Sequence, residues 1–410
     1  VNRPARNAAL RPVELLEPQD APLVFGAPLI GEEEIAELTA TIRSGWLGTG
    51  PKTQEFERDF SRYVGTRCAV GTNSGTAALH LALLGLGIGP GDEVITTPLT
   101  FVATANVIEH VQAKPIFVDV RPEDGNIDPA AIAAAITPRT KAILPVHYLG
   151  ALVDIAAIRA VAGDIPIVLD SAHAVEGRHA DGGSSAAGSV CACYSFYVTK
   201  NLVTGEGGML VTDDPKLAEF ARVAGLHGLD SDAYRRYSQA EYRDYDMVLP
   251  GFKYNMTDLH ASLGLHQLRR IAQSSEVRSA HWDLYNEGFA DLEGVEVPPV
   301  SRSAWHPGHA RHLYTIWVDW ARVGLSRESF VGALRARGIG TGWHFREVHS
   351  HRYYRERYGL TRGLAPVAEQ IAHRTVSLPL SAALEERSVL RVIEAVRSVI
   401  EAGTNVRATG

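Results

Sequence analysis

The sequence predicts an α/β fold, a mostly parallel central sheet covered by helices on both faces, followed by a smaller C-terminal α+β unit. Three observations predict it. Between residues 69 and 169 short apolar runs of strand character alternate with helical stretches. Polar, Gly-rich or aromatic residues follow several of those runs directly, where ligands gather in such sheets. Beyond residue 268 the rhythm gives way to a mixture of amphipathic helices and one clear strand.

At 410 residues the chain has the length of two domains of roughly 100–200 residues each. The expected division is an N-terminal arm over 1–22, a large domain over 23–268 and a small domain over 269–410. The arm carries scattered Arg and lacks the continuous apolar core of a signal peptide. A hydrophobic fraction of 45% and a net charge of −7 describe a soluble globular protein and argue against nucleic-acid or membrane-surface binding. No run approaches the ~18 apolar residues of a membrane span. Cys68, Cys191 and Cys193 are odd in number and lack C-x-x-C spacing, which points to reduced thiols, a cytoplasmic setting and no metal site.

Taking the elements in order, Glu32–Glu34 open a helix with Ile35, Leu38 and Ile42 at helical spacing and Gly45 at its end. A Gly-rich loop with Trp46 follows, and then a helix with Phe56, Phe60 and Val64 on one face. Strands are expected at Ala69-Val70, Val94-Ile95, Ile116–Val118, Ile143-Leu144 and Ile167–Leu169, with helices over Thr76–Leu84, Thr104–His110, Asp128–Ile136 and Ile155–Val161 between them. Three strand ends stand out. Gly71–Leu79 (GTNSGTAAL) runs a polar turn straight into an apolar helix; it is either a capped helix end without a ligand, which the spacing alone favours, or a place where free N–H groups and the helix dipole hold a phosphate. Phe101 follows a strand and is either core or the wall of a site. Asp170 ends a strand and is either a helix cap or a functional carboxylate.

Lys200 stands on a Gly-bounded excursion between two apolar runs, Val190–Phe196 and Met209–Val211. The chain has 34 Arg and only 6 Lys, so a lysine here suggests a need for an amine that can lose its proton. The stretch Ser195–Met209 (SFYVTKNLVTGEGGM) resembles the pyridoxal-phosphate lysine motif of the DegT/DnrJ/EryC1/StrS family of nucleotide-sugar aminotransferases. The resemblance extends over nearly the whole chain and implies the fold type I aminotransferase architecture, with active sites between the subunits of a homodimer.

For the site, the resemblance implies pyridoxal 5'-phosphate held covalently by Lys200 and cycling through pyridoxamine 5'-phosphate. It places Ser74, Gly75, Thr76 and Ser195 at the cofactor phosphate and Phe101 on the face of the ring. Asp170 would keep the ring nitrogen protonated, as an electron sink requires, and His173 would stand near the phenolic oxygen, unless it is a satisfied core histidine. The segment Gly251–Asp258 (GFKYNMTD) departs from the usual GYNYRM pattern: Lys253 stands where Asn is usual and Asn255 where Arg is. These two would reach the neighbouring subunit's phosphate. Trp46, His344 and Phe345 would border the sugar.

The implied reaction moves an amino group from L-glutamate to C4 of a nucleotide-linked 4-keto sugar, with Lys200 also carrying protons. Its amine must therefore spend time neutral, which desolvation favours. A dTDP-4-keto-6-deoxyhexose of antibiotic-sugar biosynthesis is the expected substrate. A UDP-4-keto-pentose is the alternative, suggested by GFKYN and by Gly338–Arg346 (GIGTGWHFR). A cofactor-dependent sugar dehydratase would carry His in place of Lys200, and a non-catalytic sugar-binding regulator would have little use for Asp170, Ser195 and Lys200 together.

Overall fold

The computed structural model describes residues 22–230, 246–297 and 308–409. The expected arm, apart from residue 22, lies outside them.

Two amphipathic helices lead in: α1 (Glu32–Ser44) and α2 (Pro51–Val64). The apolar stripe of α2 behaves as its spacing demands. Phe56, Phe60 and Val64 are buried, with the two rings packed edge-on or tilted against Phe196. Helix α1 corrects the simple reading of its pattern. Ile35 and Ile42 are 42% and 56% exposed, while Glu34 and Thr41 are buried. Glu34 turns inward because its carboxylate accepts from the Gly31 amide at 2.9 Å, the N3 half of a capping box, and pairs with the buried Arg270.

Strands β1 (Cys68–Thr72), β2 (Glu93–Thr96), β3 (Lys114–Phe117), β4 (Thr140–Leu144) and β5 (Val168–Asp170) alternate with helices α3 (Gly75–Gly85), α4 (Val102–His110), α5 (Pro129–Ala135) and α6 (Ile155–Ala162). The predicted βα rhythm is thus present element by element. After β5 come β6 (Cys191–Ser195), β7 (Gly208–Thr212) and α7 (Pro215–Ala224). The strands form two blocks, β3-β2-β4 and β5-β6-β7-β1, joined by parallel bridges Ile143–Ile167 and Val146–Asp170. Every pairing is parallel except those of β7, which runs antiparallel to β6 and β1. That reversal brings the start of β7, Gly208, to the same edge as the carboxyl ends of its neighbours.

Helices α8 (Asp258–Arg269) and α9 (Ile271–Gly288) carry the chain onward. Ile271, at the head of α9, packs into the sheet core with Phe56 and Leu265, whereas Trp282, Tyr285 and Phe289 further along join a second core with Tyr314 and Ile316. Burying such rings is worth about 2–3 kcal/mol each, enough to fix α9 between both cores. The second core covers a three-stranded antiparallel sheet in the order β10 (Thr375–Leu378), β9 (Tyr314–Val318), β8 (Val295–Glu296). Helices Arg327–Ala336 and Glu386–Thr409 flank it, with Phe330, Leu334, Val389 and Val396 packed into that core. Leu23 returns to this unit through a parallel bridge with Ile339.

Candidate active site

The carboxyl edge of the large sheet and the second unit enclose a cavity of about 540 Å³. The strand ends singled out in the sequence meet there: Ser74, Gly75, Thr76, Phe101, Asp170, His173, Ser195 and Lys200 all line it. His344 and Phe345 close it from the second unit. Trp46, Lys253 and Asn255 do not reach this cavity. Trp46 is 37% exposed beyond α1, and Lys253 is exposed beside Asn73, whose side chain donates to its carbonyl at 3.1 Å. Asn255 instead donates to Thr49 Oγ1 at 2.7 Å.

Each side chain is placed by its element. Ser74 caps α3 by accepting from the Ala77 amide at 3.1 Å, leaving the amides of Gly75 and Thr76 at the open helix end. Gly75 is required by packing: a Cβ there would lie 2.9 Å from Ser195 Cβ and 3.1 Å from the Tyr194 carbonyl. Gly208 is tighter still, its Cβ position falling 2.4 Å from the Ser74 carbonyl carbon. The Ser74–Thr76 turn therefore nests on β6 and β7 with backbone donors turned to the cavity, a cradle shaped for an anion.

Asp170 ends β5 with its carboxylate buried. Oδ2 accepts from Thr104 Oγ1 at 2.8 Å and Oδ1 from the Ala172 amide at 3.1 Å. Burial pushes this carboxyl up, and those two donors together with the Lys200 charge pull it back toward ionisation. Lys200 follows a turn closed by its own amide on the Tyr197 carbonyl at 2.8 Å. Desolvation lowers its amine to about 8, with Asp170 opposing the shift. About a tenth of it is then neutral at pH 7, against a few parts in ten thousand for an ordinary lysine.

Three histidines surround that amine. His173 lies 4.6 Å from His312 between ring centroids and stacks on Phe345 at 5.7 Å and 10°. His344 directs Nδ1 at Ser377 Oγ, 2.7 Å away, with Phe25 stacked on it at 5.3 Å. Burial holds His344 down to about 3 and the other two well below the usual imidazole range, so all three are neutral. Phe25 and His312 were not foreseen. A lone His before a strand and a Phe near the arm carry no local signal, and only the fold brings them to Lys200.

The donor set fits pyridoxal phosphate. The cradle offers amides and the Ser74, Thr76 and Ser195 hydroxyls to a phosphate, Phe101 presents an exposed ring, Asp170 is a buried acceptor and Lys200 is an amine of lowered basicity. Nδ1 of His173 is buried without a hydrogen-bond partner, as a group awaiting a polar ligand would be. Among the described residues no cluster of His, Cys, Asp and Glu could hold a metal ion.

The chain matches the DegT/DnrJ/EryC1/StrS aminotransferase family over residues 28–397. It is 46% identical over 382 residues to the spore coat polysaccharide biosynthesis protein SpsC of Bacillus subtilis (strain 168), covering 92% of this chain and 97% of SpsC. Spr1654 from Streptococcus pneumoniae, solved in its PMP form, superposes with a TM-score of 0.86 at 33% identity, over 93% of this chain and 100% of that one. DesI, solved in the presence of its TDP-sugar product, gives 0.84 at 30% identity, over 95% and 96%.

Proposed function

Because the chain belongs to the DegT/DnrJ/EryC1/StrS aminotransferase family, whose members are pyridoxal-phosphate-dependent sugar aminotransferases, we propose that it transfers the amino group of L-glutamate to C4 of a nucleotide-linked 4-keto sugar. A dTDP-4-keto-6-deoxyhexose is the substrate we favour, supported by the likeness to DesI and its TDP-sugar product. A UDP-4-keto-pentose is the second reading, carried by the GFKYN and GIGTGWHFR segments. The single observation that carries the transfer chemistry is a half-buried Lys200, lowered to about 8, in one cavity with Asp170 and the Ser74–Thr76 cradle.

When bound, pyridoxal phosphate supplies an electron sink for charge left on the carbon that loses its proton. Gly75 and Thr76 amides with Ser74 and Ser195 hydroxyls would hold its phosphate, Phe101 would cover its ring, and Lys253 and Asn255 would approach from a second subunit. Asp170 would accept from the ring nitrogen, its oxygens already oriented by Thr104 and Ala172. Lys200 would hold the cofactor through its amine and, when free, would take a proton at Nζ and return it. An amine near 8 does both at neutral pH, whereas one at 10.5 would stay protonated. His344 and Phe345 close the cavity over the substrate, and the neutral ring of His344 adds no cation to repel the Lys200 ammonium.

We also propose a homodimer with the cavity at its interface. Supporting this, Ile35, Ile42, Trp46 and Leu47 are large apolar residues left exposed on α1 and the loop after it, and that loop meets the segment that carries Asn255 through Thr49. The division of substrates is tested by incubating the enzyme with glutamate and either keto-sugar. Amination of the dTDP-hexose alone supports the first reading, and amination of the UDP-pentose alone replaces it with the second.

A further inference from the structure

Behind Lys200 runs a buried polar chain that the proposed chemistry does not use. Arg278 of α9 and Glu176, which follows β5, form an ion pair with both side chains almost wholly buried. Asn201 Nδ2 donates to Glu176 Oε2 at 2.9 Å and to the Ala310 carbonyl at 2.9 Å. Asn201 Oδ1 faces His312 Nδ1, also at 2.9 Å. His312 is 3% exposed, and its ring lines the same cavity as Lys200.

The partners of Asn201 leave no freedom in the protons. A carboxylate and a backbone carbonyl accept and cannot donate, so the amide nitrogen must face them. Turning the amide over would set Oδ1 against two oxygens in a buried site. Oδ1 therefore faces His312, and His312 must carry its proton on Nδ1. Burial and the nearby Lys200 charge keep the ring from taking a second proton. Nε2 is thus a lone pair, and among the described residues none donates to it. Lys200 brings free N–H donors to the same space, whereas the Trp343 indole N–H is spent on the Ala372 carbonyl at 3.0 Å.

We propose that His312 is a positioning residue for proton transfer: its Nε2 is the acceptor that the free Lys200 amine reaches by turning within their shared cavity, and the Arg278–Glu176–Asn201 chain fixes the tautomer that makes it an acceptor. The inference rests on Lys200 being the working amine and is independent of which sugar is bound. It also gives the residue after Lys200 a task. Asn201 anchors the turn that carries the amine and sets the proton on the ring that receives it.

The test uses the full chain without cofactor. With 15N-labelled histidine, two-bond 15N–1H spectra report each tautomer, and the His312 signals are identified by their loss in His312→Gln. Protonated Nδ1 with bare Nε2 at pH 7 is the expected result; protonated Nε2, or an imidazolium, overturns the proposal. A second readout is brief acetylation with acetic anhydride, followed by peptide mapping that compares Lys200 with the other five lysines. His312→Leu removes an acceptor that favours the ammonium, so Lys200 should acetylate about fivefold faster at pH 7. His312→Gln, which puts an amide oxygen near the Nε2 position, should restore the wild-type rate. Equal Lys200 rates in wild type, Leu and Gln variants would overturn the proposal, and the wild-type spectrum decides the matter should the Leu variant fail to fold. Neither readout involves a sugar, so an error in the proposed substrate leaves both unchanged.

Discussion

Thr104 donates its hydroxyl to Asp170 Oδ2 at 2.8 Å and is itself 2.8 Å from Thr100 Oγ1. With Thr104 committed as donor, Thr100 must be the donor to Thr104, so two hydroxyls form one directed chain ending on the carboxylate. Burial works against the charged form of Asp170, and this chain is the main hydrogen-bonding force opposing it.

Replacing Thr104 with Val keeps the shape and removes the donor. We expect Asp170 to rise further, kcat to fall by about tenfold and stability to drop by about 1–2 kcal/mol. Steady-state kinetics and denaturant melts of Thr104→Val check both. An unchanged kcat would mean that the charge on Asp170 does not depend on Thr104.

Gly75→Ala drives a methyl group onto Ser195 Cβ and the Tyr194 carbonyl. The α3 turn must move by several tenths of an ångström, which costs about 1–3 kcal/mol in a packed site. Affinity for pyridoxal phosphate should fall at least about tenfold, because the displaced amides are the ones proposed to hold its phosphate. Equilibrium titration with the cofactor measures this directly, and wild-type affinity in a folded variant would remove Gly75 from the phosphate site.

Buried neutral histidines make the fold sensitive to acid. Burial lowers His80 and His147 to about 4 and His344 to about 3, while unfolded imidazoles titrate near 6.5. Below 6.5 the unfolded chain binds more protons than the folded one, so stability rises with pH there. The contribution is fully present above about 6.5 and is lost as pH falls toward 4, at up to about 1.4 kcal/mol per pH unit for each histidine. For these histidines, melting temperatures of the cofactor-free chain should therefore fall progressively from pH 6.5 downward. A flat profile between 6.5 and 5 would show that these rings gain protons without unfolding.

Charge among the exposed apolar residues of α1 should separate the subunits. Ile42 is 56% exposed on α1, so Ile42→Glu places its carboxylate at the surface rather than in the core. Sedimentation should show a dimer for wild type and a monomer for the variant, with turnover lost in parallel if Lys253 and Asn255 serve the neighbouring site. A variant that remains dimeric and active would move the interface elsewhere.

The sheet and most of the cavity could be read from the sequence because each carries a local signal. The strands of the first half are short apolar runs with turn residues behind them, and Asp170, Ser195 and Lys200 stand at their ends. What escaped depends on distance along the chain. His312 meets Asn201 across 111 positions and Glu176 meets Arg278 across 102, and no window of sequence shows either pairing. The stripe of α1 escaped for another reason. Periodicity says that Ile35 and Ile42 share a face, but it does not say whether this chain or a partner covers them.

The attachment of the cofactor to Lys200 is the claim on which the rest depends. Borohydride reduction of the enzyme loaded with pyridoxal phosphate, followed by peptide mass mapping, locates the bond. The account predicts the cofactor's mass on the peptide containing Lys200, and its absence there in a folded Lys200→Ala variant. Label on any of the other five lysines, or none on a fully loaded enzyme, would contradict it.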